Sequence, residues 1–404
     1  MRLRRRMFLA VAATAVAVGA AACGGSAQGG SAGSAAASGH GKDLVYLSMS
    51  YIGNDWQPEA RNVIEALTHV PPISNEINFK ITVAGTSVDT QIAQINQAVE
   101  AGAKGILVYP ISPTALNATI EKACQAGVKV VTYDSVVTAP CAYGVQIHQH
   151  YAGMITAKWL AEALHGHGNI VLITGVPGTS VDLYRTAAAK AEFAKFPGIH
   201  IVASEPGQWA QAPAKTDMAS IFTSHPPSTI NGIWAQVGCY AITQLYLQKH
   251  LPLVPCAGEQ TQGHLLYMLP TSQGGAGLQS VSYSATNITG AVALRVLVGL
   301  LHGQKFPHKV YAQFRLITNH PEPGVPAIPL KICNQGTPQE LASGCNVFAS
   351  NLNVPSGFFD GVWSPEVGLG LHAAETGSPS TQEVKSAAQA LKTPVTSWQP
   401  NLGP

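Results

Sequence analysis

Residues 105–134 read GILVYPISPTALNATIEKACQAGVKVVTYD. A continuous apolar run, GILVY at 105–109, leads into a helical stretch over 113–125, and a second apolar run, VKVVTY, follows at 128–133. Strands that are apolar along their whole length are buried on both faces, and an intervening helix of about a dozen residues lets two strands run in the same direction. The stretch therefore predicts a parallel β–α–β unit, with Asp134 at the point where the second strand ends.

The same alternation extends outward in both directions. Towards the N-terminus come strands at 44–49 (LVYLSM) and 79–83, and helices at 58–69 and 89–101, the latter with Ile92, Ile95 and Val99 on one face. Towards the C-terminus the pattern starts again, with helix 152–164, strand 169–174 (NIVLIT), helix 180–193, strand 200–203, helix 217–224 and strand 232–235 (GIWA). Segments 238–249, 254–257 and 263–269 continue it. Two successive sets of such units predict two doubly wound α/β lobes with parallel sheets, joined by a hinge. Open parallel sheets bind ligands beyond the carboxyl ends of their strands, so two facing lobes make a hinged trap.

Residues 287–302 (NITGAVALRVLVGLLH) form an apolar segment with Arg295 inside it, read as a core helix crossing back to the first lobe rather than a membrane span. Beyond about residue 319, periodicity fades and Pro, Gly, Asn and Ser dominate; one helix is expected at 380–391. The organisation expected is a signal peptide over 1–22 and a tether over 23–41. The first lobe takes 42–147 with 285–310, the second 148–284 with 311–330, and an irregular extension 331–404.

The N-terminus reads as an address. Arg2, Arg4, Arg5 and Arg6 precede an apolar run over 7–22, shorter than the roughly 20 residues of a membrane-spanning helix. The run ends Ala20-Ala21-Ala22-Cys23, which resembles a bacterial lipobox in which Cys23 is diacylated, although Ala20 stands where Leu is usual. Residues 5–9 also resemble a twin-arginine export signal. Residues 24–41 are nearly all Gly, Ser and Ala, a composition that stays flexible and would hold a soluble domain off the outer face of a membrane. Without the four signal arginines, the 23 basic residues become 19 against 21 acidic ones, a formal charge of −2. No basic block remains, which argues against nucleic acid as a partner.

Six cysteines follow Cys23: Cys124, Cys141, Cys239, Cys256, Cys333 and Cys345. An even number in an exported chain suggests disulfides, and pairing of nearest neighbours is the expectation among the 15 possible connectivities. No C-x-x-C, H-E-x-x-H, P-loop or G-x-G-x-x-G occurs. Gly29-Gly30-Ser31-Ala32-Gly33 matches a nucleophile-elbow pattern but lies in the tether, outside the strand–turn–helix setting such an elbow needs. His148, His150, His165 and His167 are read as loop histidines rather than metal ligands. Neither a cofactor nor an enzymatic activity is expected.

From residue 42 to 319 the chain resembles the ribose/galactose-type periplasmic sugar-binding family, the first structural class of solute-binding proteins. The resemblance rests on Asn54-Asp55-Trp56-Gln57 after the first strand, on 89–108, on residues 124–134 (CQAGVKVVTYD), and on residues 175–185 (GVPGTSVDLYR). It implies a receptor that hands a small polar ligand, a sugar in most of the family, to an ABC transporter permease. A sensor that presents its ligand to a membrane receptor is the alternative, as is a non-sugar solute. It also implies a ligand set of Asn54, Trp56, Gln57, Asp134, Arg185, Trp209, Gln236, Gln260 and Ser284. Chemically, Asp134 suits paired hydroxyls, Arg185 offers a rigid five-donor fork, and Trp56 and Trp209 can sandwich a sugar ring. Departures from the family pattern at Ser135, Val237-Gly238, Gly258-Glu259-Gln260 and Ser284 remove several pentose-fixing partners, so ribose itself is not favoured.

Overall fold

The computed structural model describes residues 41–284, 286–313 and 315–399. Cys23, the signal and the tether lie outside them, apart from Gly41.

The first sheet receives β1 (Asp43–Met49), β2 (Ile77–Val83), β3 (Gly105–Tyr109), β4 (Lys129–Tyr133) and β5 (Tyr143–Gln146). They are linked by α1 (Trp56–Thr68), the single turn α2 (Ile73–Glu76), α3 (Val88–Glu100) and α4 (Asn117–Gln125). The second is built from α5 (Gln149–Ala163), β6 (His167–Ile173), α6 (Ser180–Phe193), β7 (Gly198–Glu205), α7 (Gln211–Ser224), β8 (Gly232–Ala235), α8 (Cys239–Gln248), β9 (Cys256–Glu259), α9 (Gln262–Met268) and β10 (Ser280–Tyr283). The chain then returns through α10 (Thr289–Leu301) and β11 (Lys309–Tyr311) to the first sheet, and through β12 (Leu316–Thr318) to the second. Strand orders are β11-β5-β4-β3-β1-β2 and β12-β10-β9-β8-β6-β7. Every pairing in the two sheets is parallel except β10 with β12. The fold is thus two doubly wound α/β lobes joined by three crossings, as the alternation predicted.

Two strands differ instructively from the sequence reading. β5 was not anticipated: YGVQ is short and carries Gly144, and it completes the sheet beside β4 by pairing Tyr143, Gly144 and Val145 with Val131, Thr132 and Tyr133. β9 begins two residues later than expected because Pro255 has no N–H to give the ladder. The Pro255 carbonyl still accepts from Ile233, and the strand proper starts at Cys256. That shift places Glu259 at the strand's carboxyl end.

Cys124–Cys141, Cys239–Cys256 and Cys333–Cys345 are bridged. The last bridge staples a two-stranded element, β13 (Ile332–Cys333) with β14 (Val347–Phe348), around α11 (Pro338–Ala342). The extension is more ordered than its composition suggested, with α12 (Leu371–Thr376) and α13 (Thr381–Ala390) following. A capping box between Ser380 and Glu383 starts α13.

The extension is part of the core. Phe348, Phe358, Val362, Val367, Leu369 and Leu371 are buried in the same apolar cluster as Val63, Ile64 and Leu67 of α1 and Leu294 of α10. Polar ties match it to both lobes. The buried Glu59 carboxylate on α1 accepts from the Phe359 N–H at 3.1 Å and from Asn287 Nδ2 at 2.6 Å. On the second lobe, Gln262 donates to the Phe348 carbonyl at 2.6 Å and accepts from the Phe348 N–H at 3.0 Å. Arg295, the lone charge in apolar α10, donates to the carbonyls of Glu366 and Thr393. Among the described residues no helix is long and apolar enough to cross a membrane.

Glu59→Ala would leave the Phe359 N–H and the Asn287 amide unsatisfied in the interior. We expect unfolding free energy to fall by about 1–3 kcal/mol in urea denaturation. An unchanged midpoint and slope would show that the extension is not tied to α1 in this way.

Candidate functional site

The carboxyl ends of both sheets face one small cavity. Asn54, Trp56, Gln57, Tyr109 and Asp134 line it from the first lobe. Val181, Arg185, Trp209, Val237 and Glu259 line it from the second, and Phe359 from the extension.

Each side chain is placed by its element. Asp134 leaves β4 in a left-handed backbone conformation, φ 57°, which asparagine and aspartate tolerate better than most residues. Its N–H donates to the Val145 carbonyl at 2.8 Å, and its carboxylate accepts from Gln149 Nε2 at 2.9 Å. Arg185 on α6 donates through Nε to Gln149 Oε1 at 2.7 Å and through Nη1 to Glu259 Oε2 at 2.6 Å. Its guanidinium lies 5.1 Å from the Tyr283 ring centroid. α5 and α6 pack closely enough for this because residue 153 is glycine: a Cβ there would stand 2.2 Å from the Arg185 carbonyl oxygen.

Trp56 opens α1 and packs beside Tyr109 and Tyr133, with ring centroids 6.0 and 6.4 Å away. Trp209 sits after β7 with φ 53°, a strained conformation for a bulky residue. It is held there by its indole N–H, which donates to Gln236 Oε1 at 2.7 Å. Gln236 in turn donates to Asp182 Oδ1 at 2.8 Å and Thr186 Oγ1 at 2.9 Å. The indole also needs Gly175, where a Cβ would meet its nitrogen at 2.1 Å.

Of the nine residues expected from the sequence, six come together here: Asn54, Trp56, Gln57, Asp134, Arg185 and Trp209. Three do not. Gln236 stands behind Trp209 as its support. Gln260 and Ser284 open onto a different cavity. Successive strand residues point to opposite sides, so Glu259 enters the cleft and Gln260 turns away from it. The Ser284 hydroxyl is occupied by the Arg315 N–H at 3.0 Å. Tyr109, Val181, Val237, Glu259 and Phe359 were missed, and so was Gln149, which bridges Asp134 and Arg185. Strand-end position marks Tyr109 and Glu259; no sequence signal marked Phe359. His148 stacks on Tyr311 with centroids 3.5 Å apart. Among the described residues no group of His, Cys, Asp or Glu is placed to hold a metal ion.

Burial governs the charges. It raises the Asp134 carboxyl above its ordinary range, against the pull of Arg185 and the Gln149 hydrogen bond. Burial also pushes Glu259 up to about 7, although Arg185 pulls it down; the nearby Asp134 adds to the rise. Desolvation works against the Arg185 cation, but Tyr283, Glu259 and Asp134 outweigh it and keep the guanidinium charged.

A polar, aromatic-walled cavity between two lobes, with donors and acceptors from each, defines a hinged ligand trap. Residues 45–305 match the family described as periplasmic binding protein domain, well over half of the chain, and the chain belongs to that family. A xylitol-binding protein of Mycolicibacterium smegmatis is 27% identical over 164 residues, 40% of this chain, so the chain spans about half (47%) of that relative's length. An ABC transporter solute-binding protein from Thermobispora bispora is 28% identical with TM-score 0.62, covering 69% of this chain and 86% of that one. One from Actinobacillus succinogenes with bound D-allose has TM-score 0.57 at 22% identity, covering 68% and 97%, a likeness of fold. The family and these relatives are binding proteins, not enzymes.

The Glu259 carboxyl makes a pH prediction. Its folded pKa of about 7 lies above its ordinary 4.5, so between those values the folded protein binds more protons than the unfolded chain. Its contribution to stability is present at low pH and lost as pH rises through about 7. Thermal melts across that range should show a smaller loss with rising pH in Glu259→Gln than in wild type. Identical slopes would contradict the assignment.

Proposed function

We propose that this protein is an exported, lipid-anchored solute-binding protein that closes on a small carbohydrate, a sugar or sugar alcohol, and delivers it to an ABC permease. The observation that carries this reading is the convergence of Asp134 and Trp56 from one lobe with Arg185 and Trp209 from the other on one small cavity. Indole faces suit the C–H surfaces of a carbohydrate, and carboxylate and guanidinium groups suit its hydroxyls. The names of the relatives point the same way, towards xylitol and D-allose. Binding between lobes stabilises the closed state, which is the form a permease would distinguish from the open one.

Calorimetric titration against a panel of monosaccharides and alditols should identify a ligand. Asp134→Ala and Arg185→Ala should each weaken it by roughly tenfold to a few thousandfold, the range expected when one partner of a buried charged contact is removed at about 2–5 kcal/mol. Wild-type affinity in both variants would place the binding site elsewhere.

Anchoring rests on Cys23 and the Gly/Ser/Ala tether after it. Fractionation of a Cys23→Ala variant with its signal still cleaved should find the protein released from membranes. Retention in the membrane fraction would rule out a lipid on that cysteine.

A further inference from the structure

A groove of about 570 Å³ lies outside the cleft, at the β5–β11 edge of the first sheet. That volume sits within the roughly 300–1,000 Å³ usual for small-molecule sites. Strand alternation sets its floor. Val145 and Val310 turn into the core, so their strand neighbours turn the other way. Gly144 pairs with Lys309 and Gln146 with Tyr311, and all four line the groove. The loop over 136–142, tied down by Cys124–Cys141, makes one wall with Val136, Val137, Ala139 and Pro140. The first turn of α5 makes another, and Tyr184 on α6, 43% exposed, adds a ring from the second lobe.

One buried polar group in this floor lacks a partner. Gln146 is 6% exposed, yet its side-chain amide makes no hydrogen bond among the described residues. Buried amides are nearly always satisfied, and this one lines the groove, from which a partner can reach it. The groups around it favour an anion. α5 runs for 15 residues, and the first N–H groups of a helix have no partner within it. No side chain caps this end, and its first turn carries no acidic residue. Such an end attracts negative charge. Lys309 adds a positive charge, and no Asp or Glu lines the groove. Gln146 precedes His148, the N-cap of α5, by two residues, and Lys309 pairs with Gly144, two residues before Gln146 on the same face. The three groups are therefore neighbours. The remaining lining is apolar or aromatic, with the Tyr143 ring stacked on His308 and the Tyr311 ring on His148, centroids 4.3 and 3.5 Å apart.

A bare inorganic anion would use the polar groups and leave the apolar wall wet. A neutral ring would cover the wall and leave the positive end unanswered. An aromatic carboxylate answers both. We propose that this groove is a second binding site, for a small aromatic carboxylate whose anionic group meets the α5 N-terminus, Gln146 and Lys309 and whose ring lies against the 136–142 loop and Tyr184. The site goes beyond the carbohydrate cleft, since Trp56, Arg185 and Trp209 line the cleft and not the groove. Gln149 adjoins both: it lines the groove, and its side chain bonds to Asp134 and Arg185.

The test is calorimetric titration of the Cys23→Ala protein with benzoate and 4-hydroxybenzoate, and with benzamide, acetate and inorganic phosphate as partial mimics. At least one aromatic carboxylate should bind with unit stoichiometry, and each partial mimic should bind at least about tenfold more weakly. Lys309→Gln and Gln146→Ala should each weaken that binding by about tenfold, and Trp209→Ala should leave it intact. Lys309 lies at the surface, so Lys309→Gln keeps the fold and decides the matter if Gln146→Ala lowers stability. Absence of binding by both aromatic carboxylates would overturn the proposal. So would benzamide or phosphate binding as tightly as the carboxylate, because the groove would then read only one of the two features. Binding lost in Trp209→Ala and kept in Lys309→Gln would assign the ligand to the cleft and overturn it too. Carbohydrate titrations run separately, so failure of this site is distinguishable from failure of the cleft reading.

Discussion

The side-chain amide of Gln149 holds the cleft together. Its nitrogen donates to Asp134, which belongs to the first lobe, and its oxygen accepts from Arg185, which belongs to the second. Arg185 passes the connection on to Glu259. In a buried setting such a chain of hydrogen bonds is strong when complete and costly when broken, because any member left alone is an unsatisfied polar group or charge. The remaining features of the site serve this network. Gly153 lets α5 and α6 approach so that Gln149 and Arg185 meet, and Pro255 sets the start of β9 so that Glu259 ends beside them. A ligand whose hydroxyls replace some of these bonds can enter without leaving charges stranded.

The C-terminal extension adds a second constraint. Its apolar side chains complete the core against α1 and α10, while Gln262 ties it to α9 of the other lobe. It also brings Phe359 into the cleft wall and Asp360 into the neighbouring cavity. A segment with contacts on both lobes limits how the lobes can move apart, so opening must be accommodated by the three crossings or by release of the extension's hold on one side.

Much of this was legible in the sequence because it depends on local pattern. The wholly apolar runs GILVY and VKVVTY give parallel strands, and the end of the second placed Asp134 at the carboxyl edge of its sheet; Arg185 was expected from the resemblance of residues 175–185 to the family. Nearest-neighbour cysteine pairing coincided with the bridges formed. What stayed hidden depends on register or on distant contact. A single position separates Glu259, in the cleft, from Gln260, outside it, and the sequence alone does not set that register. Gln149 lay inside a His-Gln-His stretch weighed only for metal binding. Phe359 reaches the cleft through a Glu59 contact 300 residues away in sequence, beyond any periodicity. Gln236 was expected as a ligand contact through the family resemblance, but its task of supporting Trp209 appears only once the loop after β7 is folded.

The central claim is that one small carbohydrate lies between Trp56 and Trp209 and touches Asp134 and Arg185 from opposite lobes. A crystal structure of the protein grown with the carbohydrate that titration identifies tests it directly. The account predicts ligand density in that cavity, with hydroxyls within hydrogen-bond distance of the Asp134 carboxylate and the Arg185 guanidinium. Density outside the cleft, or a ligand contacting one lobe alone, would contradict it.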